Sequence, residues 1–342
     1  MYCLHCRTSV ILESFFSSEL VLVLISTTWI LLALFAAFGD ALVGYIDEWL
    51  LVKLRTTKTG ALTHSDAPGK LLLISGFFGF VSAIGSLLFS FIIGDSYLIY
   101  ITEVIFVVAF VAGIIEVLWM IPYFHGLEQG GALNATPLFQ TIPIFSLVFG
   151  LLFFSELPST AHIIATAIII AGAILLNYSP SARRIDRHTL GLMLLSSALI
   201  SLGFFLFKDA ATEGNFVATL FAHGLGMGMF SVLIWTCWPP YRRQFNSFMR
   251  SLNIKVLAAQ VGNESLYAVS TIASQLAIVL GPSVMVVTAF NAFHPIFTLF
   301  IGLILFAFGS KEHKLELGGP LVILKTMAVI LIAFGSVMIV VT

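Results

Sequence analysis

Pro143-Ile144-Phe145-Ser146-Leu147-Val148-Phe149-Gly150-Leu151-Leu152-Phe153-Phe154 occurs a second time in this chain, as Pro295-Ile296-Phe297-Thr298-Leu299-Phe300-Ile301-Gly302-Leu303-Ile304-Leu305-Phe306. Seven of the twelve positions are identical, and Ser146 stands opposite Thr298. Composition alone would give about one or two identities between unrelated apolar helices. Both copies lie in long apolar runs, with Pro and Gly where a soluble helix avoids them. Two like halves with a solute site between them are a common plan of secondary transporters. The other reading is two independent apolar helices with coincidental prolines.

Composition bounds the class. Of 342 residues 59% are hydrophobic and 10% charged, and the mean hydropathy is +1.06. A soluble domain carries about a quarter charged residues, so this chain lies outside that class. The apolar content comes in runs of about twenty residues, enough to cross a ~30 Å hydrocarbon core at ~1.5 Å per residue. The alternation of an outer-membrane barrel strand is absent. The expected fold is an all-α polytopic membrane protein. Cys3 and Cys6 have CxxC spacing, but no second pair or paired His follows, so neither a zinc site nor, with Cys237, a disulfide framework is expected. Residues 1–16, with Arg7 and Glu13, read as a short tail and not as a signal peptide.

Apolar runs between turn and charge clusters predict ten spans, roughly at 20–46, 71–94, 101–124, 131–154, 160–178, 189–210, 215–238, 255–279, 282–308 and 320–341. Ala109 to Gly131 aligns with Ala259 to Gly281, and after a two-residue insertion the Pro-Ile-Phe copies align. Gly172 and Gly335 occupy matching places late in spans five and ten. The halves are therefore residues 1–178 and 179–342, of five helices each, and an odd count makes them inverted repeats. Charge agrees. Lys53, Arg55, Lys58 and Lys70 follow span one, and Arg183, Arg184 and Arg187 follow span five. Arg242, Arg243, Arg250 and Lys255 follow span seven, and Lys311 and Lys314 follow span nine. Thirteen of the sixteen basic residues thus fall on one side and only Arg7 on the other. Between membrane spans such clusters are topology signals and not nucleic-acid patches; they put the basic loops in the cytoplasm and both termini outside.

Several segments resemble the EamA-type drug/metabolite transporters. They are Pro122-Tyr123-Phe124-His125-Gly126-Leu127-Glu128, Ala135 through Phe145, Glu156, and Ala171-Gly172-Ala173-Ile174-Leu175-Leu176. Ile46-Asp47-Glu48-Trp49-Leu50-Leu51 and Asn263-Glu264-Ser265-Leu266 add to it. The resemblance runs from span one to span ten and is most specific in spans three to five. It implies ten helices in two inverted halves and movement of small solutes, often export of amino acids or other metabolites, with a bacterial inner (plasma) membrane as the expected location. The sequence departs from that family at Glu48, often Lys there, at His294, and at Glu116, where an apolar residue is usual. Those relatives commonly keep both termini in the cytoplasm, against the charge pattern.

An ionisable group in hydrocarbon costs a few kcal/mol, so each one inside a span needs a reason. Glu116 in span three and Glu264 in span eight both lie about three residues, roughly 5 Å, from mid-span, leaning toward the basic side. They read as proton or substrate-amine sites facing a central cavity, or as protonated carboxyls bonded to a neighbouring helix. Proline frees a backbone carbonyl, which is tolerable only against protein or a wet cavity. Gln140, Asn291 and His294 stand beside such breaks and are candidate solute ligands; a packing kink is the other reading. Asn263 and the unpaired Asp40 join them, with Tyr123 and Trp119 as the aromatic candidates. Lys208-Asp209 reads as a neutralising pair. The run Gly224-Leu225-Gly226-Met227-Gly228 lacks the strand of a dinucleotide motif and reads as close helix contact.

The expectation is a secondary transporter of a small metabolite, amino acid or drug-like solute. Its cavity would be lined by spans one, three, four, six, eight and nine, and it would work by alternating access. No nucleotide-binding loop is present, so protons or a counter-solute would drive it, without metal or cofactor. An intramembrane enzyme and a passive channel are the alternatives. No catalytic constellation and no repeated polar ring supports either.

Overall fold

The computed structural model describes residues 18–56, 67–93, 101–130, 136–176, 178, 186–250, 254–307 and 319–341. Cys3, Cys6, Arg7, Lys58, Arg183, Arg184, Lys311 and Lys314 lie outside the described residues. Regular structure among the described residues is entirely helical. The helices are α1 (Ser18–Thr56), α2 (Ala67–Ile93), α3 (Glu103–Gly130), α4 (Ile142–Phe153), α5 (Thr160–Leu176), α6 (Arg187–Glu213) and α7 (Phe216–Cys237). They continue as α8 (Pro239–Arg250), α9 (Ile254–Leu280), α10 (Val284–Ala289), α11 (His294–Ala307) and α12 (Gly319–Val341). A 3₁₀ turn precedes α4 (Thr136–Thr141) and another joins α10 to α11 (Phe290–Phe293).

Seven helical segments are long and apolar enough to cross a bilayer, and Leu138–Phe153 and Thr160–Leu176 are shorter apolar helices. The chain is an all-α integral membrane protein. α9 is as long as α2 but more polar, and it buries Gln260, Asn263, Glu264, Ser270 and Gln275 inside the bundle. Large apolar side chains such as Phe91, Ile92, Leu152 and Phe153 point outward, as a lipid-facing surface requires.

Sequence explains where helices stop. Asp186, Asn215 and Ser283 cap α6, α7 and α10, each accepting from backbone N–H groups of the first turn. Pro143 and Pro295 both stand second in their helices, directly after a 3₁₀ turn, where a missing N–H costs no intrahelical bond. The expected breaks are thus tightened turns that restart a helix.

Close helix contact accounts for the glycine run. A Cβ on Gly226 would sit 2.0 Å from the Phe110 carbonyl oxygen of α3, and one on Gly113 2.0 Å from that of His223 of α7. α5 and α12 meet reciprocally: Gly172 abuts the Ala328 carbonyl and Gly335 the Ala165 carbonyl. Without a side chain, the backbones approach closely enough for dispersion to hold them in a solvent that gives no hydrophobic drive between helices.

Residues 239–250, read as loop from the sequence, form the amphipathic α8. Tyr241, Phe245 and Phe248 pack into the bundle, while Arg242, Arg243 and Arg250 are exposed. Spacing of four and three puts the aromatics on one face. Tyr241 and Gln244 lie against Gly69 at the start of α2, and the Tyr241 hydroxyl is 3.1 Å from His125 Nε2 near the end of α3. Burial raises the Tyr241 phenol above its ordinary range, so it stays a hydroxyl. The end of α1, the starts of α2 and α9 and the end of α3 therefore share the α8 end of the molecule.

Candidate functional site

A cavity of about 180 Å³ lies inside the bundle, lined from α1, α2, α3, α4 and its 3₁₀ turn, α6, α9, the second 3₁₀ turn and α11. At ~10–15 Å³ per water centre it has room for about a dozen waters or one small organic molecule. Helical periodicity aims the side chains. On α3, Glu116, Trp119, Met120, Tyr123 and Leu127 repeat every three or four residues and form one stripe on the cavity wall. On α9, Asn263, Tyr267, Thr271 and Ser274 do the same, with Glu264 beside them. On α1, Asp40 and Asp47 are seven residues apart, two turns on one face, about 10 Å along the axis.

All eight residues singled out from the sequence line this space. α1 gives Asp40, α3 gives Glu116 and Tyr123, and the first 3₁₀ turn gives Gln140. Asn263 and Glu264 come from α9, Asn291 from the second 3₁₀ turn, and His294 opens α11. The six expected spans all contribute, and α2 adds Ser75. Asp47, Ser75 and Tyr267 were not singled out. Asp47 lay in view within Ile46 to Leu51, and its seven-residue spacing from Asp40 was the available signal.

Each buried carboxyl has a polar neighbour on another helix. Tyr267 donates its hydroxyl proton to Glu116 Oε1. Glu264 Oε1 accepts from Ser75 Oγ at 2.7 Å and from Gln260 Nε2, one turn earlier on its own helix, at 2.6 Å. Asn263 Nδ2 donates to Asp47 Oδ1 at 2.8 Å, which fixes the amide orientation and leaves Asn263 Oδ1 buried without a partner among the described residues. The His294 ring donates to the Asp40 main-chain carbonyl, joining α11 to α1, and Tyr45 OH reaches the Thr298 carbonyl at 2.8 Å. Glu116 and Glu264 thus face the cavity and also bond neighbouring helices. No Lys or Arg among the described residues lines the cavity.

Counted along each helix, the lining reaches toward the α8 end on α3 and extends past mid-span the other way at Phe204 of α6 and at Thr271 and Ser274 of α9. The end away from α8 is closed. There Phe154 stacks on Phe205 with centroids 4.5 Å apart, and Trp29 meets Phe290 edge-on at 5.3 Å. Lys208 Nζ lies 2.6 Å from Glu156 Oε1, and Glu156 Oε2 accepts the Val284 N–H at 2.9 Å. Lys208 therefore pairs with Glu156 and not with the adjacent Asp209. On a helix, neighbours in sequence point about 100° apart, so i and i+1 do not face each other. Glu156 draws the α4–α5 connection, α6 and the start of α10 together, its negative charge suited to a helix N-terminus.

No protein-family profile and no curated protein matches the chain. Sixteen chains of solved structures do match. One of them superposes over 88% of this chain and 96% of its own length, with a TM-score of 0.56 at 16% identity. At that identity the likeness is one of fold.

Proposed function

We propose that the chain is a secondary transporter of a small solute, of the EamA-type drug/metabolite kind, built from inverted halves at 1–178 and 179–342. The first half supplies α1, α2, α3, α4 and α5 as spans. The second supplies α6, α7, α9, α10 with α11, and α12. The observation that carries the reading is the polar cavity, walled by helices of both proposed halves, with Phe154–Phe205 and Trp29–Phe290 packed across one end.

Packing supports the inverted repeat. A two-fold axis in the membrane plane pairs α2 with α7 and α5 with α12, and each pair packs together. The same axis relates the α3–α6 contact to α9–α1, and α4–α6 to α11–α1, and all four are extensive. One relation is broken. α3 packs along α7, whereas its counterpart α9 barely touches α2. In an alternating-access machine this asymmetry would mark one state, with α3–α7 the tight seam and α2–α9 the looser one, crossed by the Ser75–Glu264 hydrogen bond. Positive-inside then makes the α8 end cytoplasmic, and the cavity inward-facing.

A passive channel needs a path through both ends, and an enzyme needs a reacting constellation. The sealed Glu156–Lys208 end speaks against the first. The test is counterflow with purified protein in vesicles, using amino acids, nucleosides and amines. Saturable uptake accelerated by solute on the other side is the expected result. Flux that never saturates and ignores the trans solute would mean a channel, and no flux of any solute would remove the transport reading.

A further inference from the structure

We infer that the cavity binds a linear aliphatic polyamine, one ammonium group beside Asp47, Asn263 and Glu264 and another beside Asp40 and Glu116. The inference rests on the reading of this cavity as a solute site and names the solute's class. Four carboxyl groups line the cavity, in two pairs close enough for their charges to interact, Asp40 with Glu116 and Asp47 with Glu264. The only Lys on the described part of α6, Lys208, is bonded to Glu156 at the sealed end. Among the described residues no Lys or Arg lines the cavity, so on those residues a compensating cation comes from the solute or from protons.

Two further observations point to the chemistry of that cation. Asn263 is 2% exposed, lines the cavity and has an acceptor oxygen, Oδ1, with no partner among the described residues. It can take a hydrogen only from a ligand N–H or O–H, which favours a primary ammonium over a quaternary one. The cavity wall also carries an aromatic cluster: Tyr123 stands 5.5 Å from Trp119 and 5.2 Å from Phe139, ring centre to ring centre. Such faces attract ammonium groups and cover the hydrocarbon between them. An inorganic divalent ion is a poorer fit, because no group of three or more His, Cys, Asp or Glu among the described residues converges as a metal site would.

The spacing gives the length. Asp40 and Asp47 are two turns apart on one face, about 10 Å, so the two pairs match amines separated by a chain of about seven carbons. Val43 and Gly44, between them on the cavity wall, offer no competing charge.

The experiment measures equilibrium binding to the full chain in lipid nanodiscs, by thermal shift and calorimetry. The probes are diaminoheptane, diaminobutane, heptylamine and heptanedioate. Diaminoheptane should bind at least tenfold more tightly than heptylamine and more tightly than diaminobutane, with no binding of the dicarboxylate. Asp47→Asn and Glu116→Gln should each weaken diaminoheptane at least tenfold and bring it toward the heptylamine value. Equal binding of mono- and diamine would overturn the two-point site, and tighter binding of heptanedioate would overturn the cationic class. Neither outcome depends on the variants folding. Flux is scored separately by counterflow. Diamine binding without flux would sustain this inference and sink the transporter reading. Saturable flux of other solutes with no diamine binding would do the reverse.

Discussion

A carboxyl group held among apolar helices persists in one of two ways: it keeps its proton, or it keeps company with a cation. Ionised and alone at mid-membrane it costs about 2.5–3.5 kcal/mol even on insertion scales. Glu116 and Glu264 have hydroxyl and amide donors but no basic partner among the described residues, which leaves a proton or a cationic solute to complete the proposed site. Replacing either by Gln keeps the shape and deletes the ionisation. Glu116→Gln and Glu264→Gln are expected to cut flux at least tenfold for one of the two, and to flatten its dependence on pH. Parent-like flux from both singles and the double variant at every pH would make these groups structural. Tyr267→Phe, which removes only the hydroxyl on Glu116, should shift the pH profile of flux with little change in thermal stability. Why these residues stood out in the sequence is physical: a charge inside an apolar run has no bland explanation. Asp47 escaped because it lies at the end of its run, where charge is ordinary, and Ser75 and Tyr267 because neither type is rare in membrane helices.

At the scale of single elements, the two helix restarts and the two glycine contacts do most of the positioning. Pro143 and Pro295 each begin a helix just after a 3₁₀ turn, and that turn is what brings Gln140 and Asn291 to the cavity wall. The positions of most helices were readable because apolar runs of bilayer length leave few choices, although α1 runs to Thr56, past the expected end at 46, and α4 begins only at Ile142, after a 3₁₀ turn. α8 was not, since twelve residues with three arginines look like a loop until Tyr241, Phe245 and Phe248 are placed on one face. The contact of α3 with α7 has no slack. Gly226→Leu should cost about 1–3 kcal/mol, read as a fall in thermal stability, because the added side chain meets the Phe110 carbonyl and the backbones must separate. Gly262 on α9, with open space around its Cα, should accept Ala with no measurable loss. The Glu156–Lys208 pair is only partly shielded, 20% and 17% exposed, so its direct contribution is about 0–1 kcal/mol. Its value lies in tying three segments at the sealed end. Lys208→Met should therefore barely change stability, yet raise the labelling of a cysteine put at Ala292 by a reagent added on that side. Unchanged labelling would mean that the aromatic stack alone makes the seal.

For the whole molecule, the all-α membrane character was legible in the long apolar runs, whereas the inverted repeat proposed from the doubled Pro-Ile-Phe motif and the basic loops carries no sign of which seam is tighter. Only the packing distinguishes α3–α7 from α2–α9. Orientation is testable directly. A C-terminal fluorescent fusion that matures only in the cytoplasm should stay dark, because the charge count puts residue 342 outside; bright cells would reverse the assignment and make the looser seam face outward. α8 then has a further meaning. It lies beside the seam, holding the start of α2 at Gly69, while Arg242, Arg243 and Arg250 stand free of the bundle. Each arginine near an anionic leaflet is drawn to it by about 1 kcal/mol. Under the proposed alternating access, the bilayer's headgroup charge acts as a force on a helix that moves when the cavity changes sides. Turnover should vary with the phosphatidylglycerol content of the vesicle and cease to vary in the Arg242→Gln, Arg243→Gln double variant, which would make the lipid around this protein one of its inputs.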